Sequence, residues 1–201
     1  MKITSATFEL SAAELTACPK WALPEFAFIG RSNVGKSSLI NLLAERNGLA
    51  KVSDKPGKTK LMNFFVLNRS WSLVDLPGYG YAAVAQKQRM EFTRTISDYL
   101  QERRNLYFVF LLIDSRLPPQ GIDLDFIRWL AAVGRPFAVI FTKIDKASAA
   151  VRHSTIAAFT AAVAAEGGAP LVCFASSSKT RVGRTEILNS IQSVLAANNR
   201  A

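Results

Sequence analysis

Phe26, Phe28 and Ile29 form a short apolar run, and Leu39, Ile40, Leu42 and Leu43 then recur at the spacing of one helix face. The period therefore changes from a buried strand to a helix within about ten residues. The same alternation continues downstream. "LMNFFVL" and "WSLVDLPG" are apolar runs joined by Asn68-Arg69-Ser70, a joint short enough for an antiparallel hairpin. Val84 to Arg104 carries Phe92, Ile96, Tyr99 and Arg103 at successive turns of a helix, and "LYFVFLLID" follows as a continuous buried strand. A helix near Gly121 to Val133, the strand "PFAVIFTKID", an alanine-rich helix to about Ala165, the strand "PLVCFASSS" and a last helix with Leu188, Ile191 and Leu195 complete the order. Strand and helix alternate without repeat or linker, which is the α/β signature. It predicts a mainly parallel sheet of six strands, with one antiparallel hairpin strand at an edge and helices on both faces. Residues 1–23 read as an N-terminal extension and 24–201 as a single domain.

Composition narrows this picture. At 201 residues and 49% hydrophobic content the chain can bury a full core. No apolar run approaches the roughly 20 residues that span a bilayer, and Glu9 and Glu14 interrupt the N-terminal stretch where a signal peptide needs to be apolar. A cytoplasmic protein with no membrane partner is expected. Cys18 and Cys173 stand far apart without a C-x-x-C neighbour, so they read as reduced thiols rather than zinc ligands or a disulfide. His153, among alanines, reads as an ordinary helix residue.

The net charge of +10 points to a polyanionic partner, and its distribution sharpens the point. Arg46, Lys51, Lys55, Lys58, Lys60 and Arg69 face one acid, Asp54; near the C-terminus Lys179, Arg181, Arg184 and Arg200 face Glu186. Such clustering is the footprint of nucleic-acid binding, although a phosphate-binding loop accounts for part of it.

The chemistry lies where strands end, because ligands of an open α/β sheet bind outside the carboxyl ends of its strands. Between the first strand and helix, Gly30-Arg31-Ser32-Asn33-Val34-Gly35-Lys36-Ser37 fits G-x-x-x-x-G-K-[ST], with Ser38 next to it. In that motif backbone N–H groups turn inward around phosphate oxygens and a helix N-terminus adds its dipole. Lys36 would reach the β- and γ-phosphates, and Ser37 would ligate Mg²⁺. The plainer alternative is a strand-to-helix turn. Asp75-Leu76-Pro77-Gly78 closes a second strand: Asp75 supplies a water-bridged carboxylate for Mg²⁺ beside the Ser37 hydroxyl, and the Gly78 N–H can meet a γ-phosphate oxygen. Thr59, in Gly57-Lys58-Thr59, could cap both the metal and the γ-phosphate. Thr142-Lys143-Ile144-Asp145 closes a third; alone it reads as a surface turn. Behind a phosphate loop it reads as a base pocket, in which the Asp145 carboxylate accepts from the N1–H and exocyclic amine of guanine, so GTP is favoured over ATP. Lys143 can lay its stem on the purine face, and N–H groups within Ser176-Ser177-Ser178, at the end of a fourth strand, can donate to the guanine O6.

Taken in order, "GRSNVGKS", "PGKT", "DLPGYG", "TKID" and "SSSK" resemble the TRAFAC-class P-loop GTPases, and "GRSNVGKSSLIN" with "PGKTKLMNFF" and "DLPGYGYA" is similar to the EngB (YihA/YsxC) group of bacterial ribosome-assembly GTPases. The likeness runs from about Glu25 to Leu195. It implies a monomeric, Mg²⁺-dependent GTPase, with Lys36, Thr59 and Gly78 at the chemistry, that assists assembly of the large ribosomal subunit and is needed for normal cell division and septation. Two departures from the Ras-like pattern bear on mechanism. Tyr79 follows Gly78 where many GTPases place a water-orienting glutamine, which implies slow intrinsic hydrolysis. Asn33 resembles the asparagine through which related assembly GTPases hold K⁺ beside the phosphates; alternatively it only tolerates a tight loop conformation. The three serines before Lys179 leave the base-facing N–H open by one residue. Two other classes remain open: a nucleotide-gated RNA-binding or ribosome-binding module with negligible turnover, and a small-molecule P-loop phosphotransferase.

Overall fold

Every residue of β2 (Glu25–Gly30) is buried, as a central strand covered on both faces requires. In the computed structural model, which describes residues 1–51, 61–79, 86–165 and 168–198 (for 86–93 the backbone alone), β2 lies between β4 (Trp71–Asp75) and β5 (Leu106–Asp114), parallel to both. The sheet continues through β6 (Phe137–Thr142) to β7 (Cys173–Ala175) on one side, and through β3 (Met62–Leu67) to β1 (Ala6–Ala12) on the other. Among the described strands only β3 runs against the rest, being antiparallel to both β4 and β1.

Side chains alternate across this sheet into two cores. Phe26 and Phe28 of β2, with Phe110 and Leu112 of β5, face α1 (Lys36–Ala44) and α5 (Arg184–Asn198), meeting Leu39, Leu43, Ile187 and Ile191. Ala27, Ile29, Val109 and Leu111 point the other way, toward Ile96 and Tyr99 of α2 (Gln86–Glu102), Ile127 of α3 (Gly121–Val133) and Phe159 of α4 (Ala149–Ala165). Fully burying one such leucine or phenylalanine contributes about 1.5–3 kcal/mol, and these two layers fix the frame on which the strand ends stand.

Among the described residues the sheet has seven strands, one more than the sequence pattern predicts. The extra strand, β1, comes from the expected N-terminal extension, and it covers β3, which thus lies one place in from the edge. Its apolar signal is weak because only Ala6 and Ala12 are buried, while Phe8 is 52% exposed. The register also slips between Phe8 and Leu10, so that Ala6 joins one core and Ala12 the other. β7 is shorter than "PLVCFASSS" suggests, reaching only from Cys173 to Ala175.

At the opposite end of β2 from the phosphate loop, the wholly buried Glu25 accepts from Trp21 (2.7 Å), Tyr99 (2.7 Å), Arg103 (2.5 and 2.9 Å) and Asn105 (3.0 Å). A buried charge with this many donors is a structural tie, which joins the segment before β2 to the end of α2. Arg135 adds to it by donating to the carbonyls of Leu100 (2.6 Å) and Gln101 (2.8 Å), closing the C-terminus of α2. Both cysteines are free thiols, and burial pushes Cys18 up to about 11, so it is inert. His153 lies exposed on α4.

Candidate functional site

The loop from Gly30 to Lys36 is shaped by two constraints. A side chain at Gly30 would meet the Leu112 carbonyl oxygen at 2.6 Å, so β2 can pass against β5 only as glycine. Asn33 and Gly35 have φ of 60° and 102°, the left-handed region that glycine and, less readily, asparagine adopt. Val34 is buried beneath the loop and its N–H donates to the Arg31 carbonyl at 3.3 Å. Beyond it, α1 starts at Lys36 with no side chain capping its first turn, where Ser37 and Ser38 are half-buried. The Ser32 hydroxyl is buried without a partner. An uncapped helix start and an orphaned hydroxyl in one loop are the complement of an anion. Lys36, itself buried, forms an ion pair with the buried Asp75 from the end of β4.

The segment after β4 lies along this loop. Leu76 N–H donates to the Phe28 carbonyl (3.0 Å) and Tyr79 N–H to the Gly30 carbonyl (3.2 Å), and Arg31 and Tyr79 form a parallel bridge. Gly78 sits so close that a side chain there would fall 2.8 Å from the Gly30 oxygen and 3.3 Å from the Ser32 nitrogen. Both contacts are to backbone, so Gly78→Ala must displace one of the two segments. We expect at least about tenfold weaker binding of a non-hydrolysable GTP analogue with GDP affinity within about threefold, read by calorimetric titration. The Tyr79 phenol is turned to α3, where it donates to Asp123 at 2.7 Å and its ring stacks on Phe126 at 4.5 Å. It does not stand in for a water-orienting glutamine.

The base end is braced against the same loop. Thr142, 4% exposed, donates through its hydroxyl to the Val34 carbonyl at 2.6 Å, with the Ile113 carbonyl at 3.2 Å. Lys143, at φ 57°, reaches the Asn33 carbonyl (2.5 Å) and the Asp114 carboxylate (2.9 Å). Burial raises the Asp114 pKa, but hydrogen bonds from Arg116 and Lys143 outweigh it and bring it to about 2, so the carboxylate stays charged opposite Lys143. Asp114 and Arg116 were not legible as site residues, since nothing in "LLIDSR" marks them apart from a strand end.

Ile144 is buried and Asp145 is exposed; the Ser177 hydroxyl donates to Asp145 at 2.7 Å and holds its carboxyl below the usual range. The N–H groups of Ser176 and Ser177 are taken up by the carbonyls of Phe141 (2.8 Å) and Val182 (3.1 Å). Ser178, exposed, has no hydrogen bond among the described residues. Gly57, Lys58 and Thr59 lie outside the described residues. The structure thus gathers the loop of residues 30–38, the segment of residues 75–78 and the Thr142–Asp145 turn at the carboxyl ends of β2, β4 and β6, with Ser177 reaching across from beyond β7.

A family model described as "50S ribosome-binding GTPase" matches residues 25–143. A "Probable GTP-binding protein EngB" of Bacteroides fragilis is 50% identical over 194 residues, 96% of each chain. One from Flavobacterium johnsoniae is 47% identical over 195 residues, 96% of this chain and 93% of the other. Among solved structures, a probable GTP-binding protein EngB superposes with a TM-score of 0.66 at 22% identity, covering 86% of this chain and 99% of that one. Era of Aquifex aeolicus does so with a TM-score of 0.69 at 20% identity, covering 86% and 56%. At these identities the structural likeness speaks for the fold alone. Sequence identity over nearly the whole length speaks for more: the chain belongs to the EngB family of GTP-binding proteins, P-loop GTPases that hydrolyse GTP.

Proposed function

We propose that this GTPase is a Mg²⁺-dependent switch that assists assembly of the bacterial large ribosomal subunit in the cytoplasm, acts as a monomer, and is needed for normal cell division and septation. The observation that carries the ribosomal part is the match of residues 25–143 to the family described as 50S ribosome-binding. The charge distribution supports it, though less broadly than the sequence suggests. Arg184 is drawn in against Glu45 (3.2 Å), while Lys51, Arg69 and Lys179 face solvent, as do Arg46 and Arg181 beside their contacts with the Ala6 carbonyl and Glu45.

In this reading Lys36 and the loop N–H groups bind the β- and γ-phosphates, the Gly78 N–H senses the γ-phosphate, and Thr59 orders its segment on the same group. Ser37 and Asp75 fit Mg²⁺: both are hard oxygen donors, set at the start of α1 and the end of β4. Among the described residues no cluster of three His, Cys, Asp or Glu side chains offers an all-protein cage, so the ion would share its ligands with the phosphates. Bound there, Mg²⁺ would offset the phosphate charge. K⁺ is the second ion proposed, at Asn33, which stands exposed at the left-handed turn. Asp145, held by Ser177, reads guanine, and Ser178, whose N–H has no other claim on it, is the O6 donor. No helix of the described residues is long and apolar enough to cross a membrane.

Depleting the protein from its bacterial host tests the proposal. Incomplete large subunits should accumulate while small subunits mature normally. Normal sedimentation profiles of both subunits in depleted cells would remove the assembly role and leave a GTPase of other purpose.

A further inference from the structure

Tyr79 and Asp123 belong to neither the phosphate loop nor the base pocket, yet they are among the more tightly bound polar groups near the site. Tyr79 is fixed at three points. Its N–H is bonded to Gly30, its ring lies at 12° to Phe126, and its hydroxyl donates to Asp123, which is 3% exposed in the first turn of α3. Gly78 thereby lies in a segment anchored on both sides, at Tyr79 and, two residues earlier, at Leu76, whose N–H is bonded to the Phe28 carbonyl. Burial raises the Asp123 pKa above the usual carboxylate range, and the hydrogen bond from Tyr79 and the nearby charge of Arg31 in the phosphate loop offset that only in part. Three segments of the chain thus converge on one carboxylate.

We infer that Tyr79 is a positioning residue for GTP hydrolysis: tethered to Asp123 and Phe126 on α3, it sets where the Gly78 N–H stands relative to the γ-phosphate. The inference rests on the proposed contact between Gly78 and the γ-phosphate. A side chain free to rotate after a glycine would leave that N–H to wander on the scale of a hydrogen bond, and small misplacements at a reacting centre cost large factors in rate. The tether supplies what the missing glutamine cannot, a fixed donor rather than an oriented water. It also gives α3 a direct mechanical link to the segment that meets the γ-phosphate.

Steady-state hydrolysis, GDP affinity and thermal unfolding of five variants test this. Tyr79→Phe keeps the ring on Phe126 and loses only the hydroxyl; kcat should fall about five- to tenfold with GDP affinity within about twofold, the size expected for losing one ordinary hydrogen bond. Asp123→Val should match it, and the double variant should be no worse than either single one. Asp123→Asn keeps the accepting oxygen and should restore kcat to within about twofold of the parent. Unchanged kcat in folded Tyr79→Phe would overturn the inference, as would Asp123→Asn failing as badly as Asp123→Val. Gly78→Ala separates the two layers. If it leaves discrimination between GTP analogue and GDP intact, the γ-phosphate contact itself is wrong; if it abolishes discrimination while Tyr79→Phe is silent, only the tether is.

Discussion

Asp145→Asn should lower GTP affinity by about 10²- to 10⁴-fold and bring in xanthosine triphosphate as a ligand. The carboxylate accepts two charge-assisted bonds, each worth about 1.5–3 kcal/mol, and asparagine replaces one acceptor with a donor that opposes the guanine N–H. Xanthine carries an oxygen where guanine carries the amine, so the mismatch is reversed there. The variant should fold normally, because Asp145 is exposed and its remaining oxygen can still accept from the Ser177 hydroxyl. Parallel titrations with GTP, ATP and xanthosine triphosphate measure this. Wild-type GTP affinity in the variant would place the base elsewhere and undo the assignment of Ser177 and Ser178 with it.

Lys36→Met should reduce hydrolysis by about 10³-fold or more, and it should destabilise the protein as well. The two losses have different causes. The first is the missing cation on the β- and γ-phosphates, where stabilising the charge of the transition state is a main source of rate in phosphoryl transfer. The second is Asp75, left buried without its ion pair, a change that typically costs about 3–5 kcal/mol. Adding Asp75→Asn separates them: the double variant should regain much of the lost melting temperature and none of the activity. If stability and turnover returned together, the pair would be a structural tie and Lys36 would have no separate part in the chemistry.

The phosphate loop, the segment after β4 and the base motif were legible because each is a local pattern at the end of an apolar run. A glycine-lysine-serine start to a helix needs no tertiary knowledge to be read. What escaped reading depends on contacts distant in sequence. β1 has no alternating apolar face and owes its place to pairing with β3 and to a bulge. Glu25 looks like an isolated charge in a strand, yet Trp21, Tyr99, Arg103 and Asn105 close around it. Tyr79 was legible as a departure from the glutamine pattern, but its partner Asp123, 44 residues away, was not. In the basic clusters composition could not tell that Arg184 is drawn in against Glu45 and the Leu42 and Leu43 carbonyls, whereas Arg46 and Arg181 stay exposed although each also makes a contact within the fold.

The most direct measurement of the switch is co-sedimentation with purified large ribosomal subunits, with GDP or a non-hydrolysable GTP analogue, at two salt concentrations. Binding through cations to ribosomal RNA should be several-fold stronger with the analogue, should weaken steeply as salt rises, and should fall further when Lys51, Lys55 and Lys60 are replaced by alanine while nucleotide affinity holds. Binding that ignores both nucleotide and salt would contradict the account, leaving a guanine-nucleotide hydrolase whose γ-phosphate does not govern its hold on the ribosome.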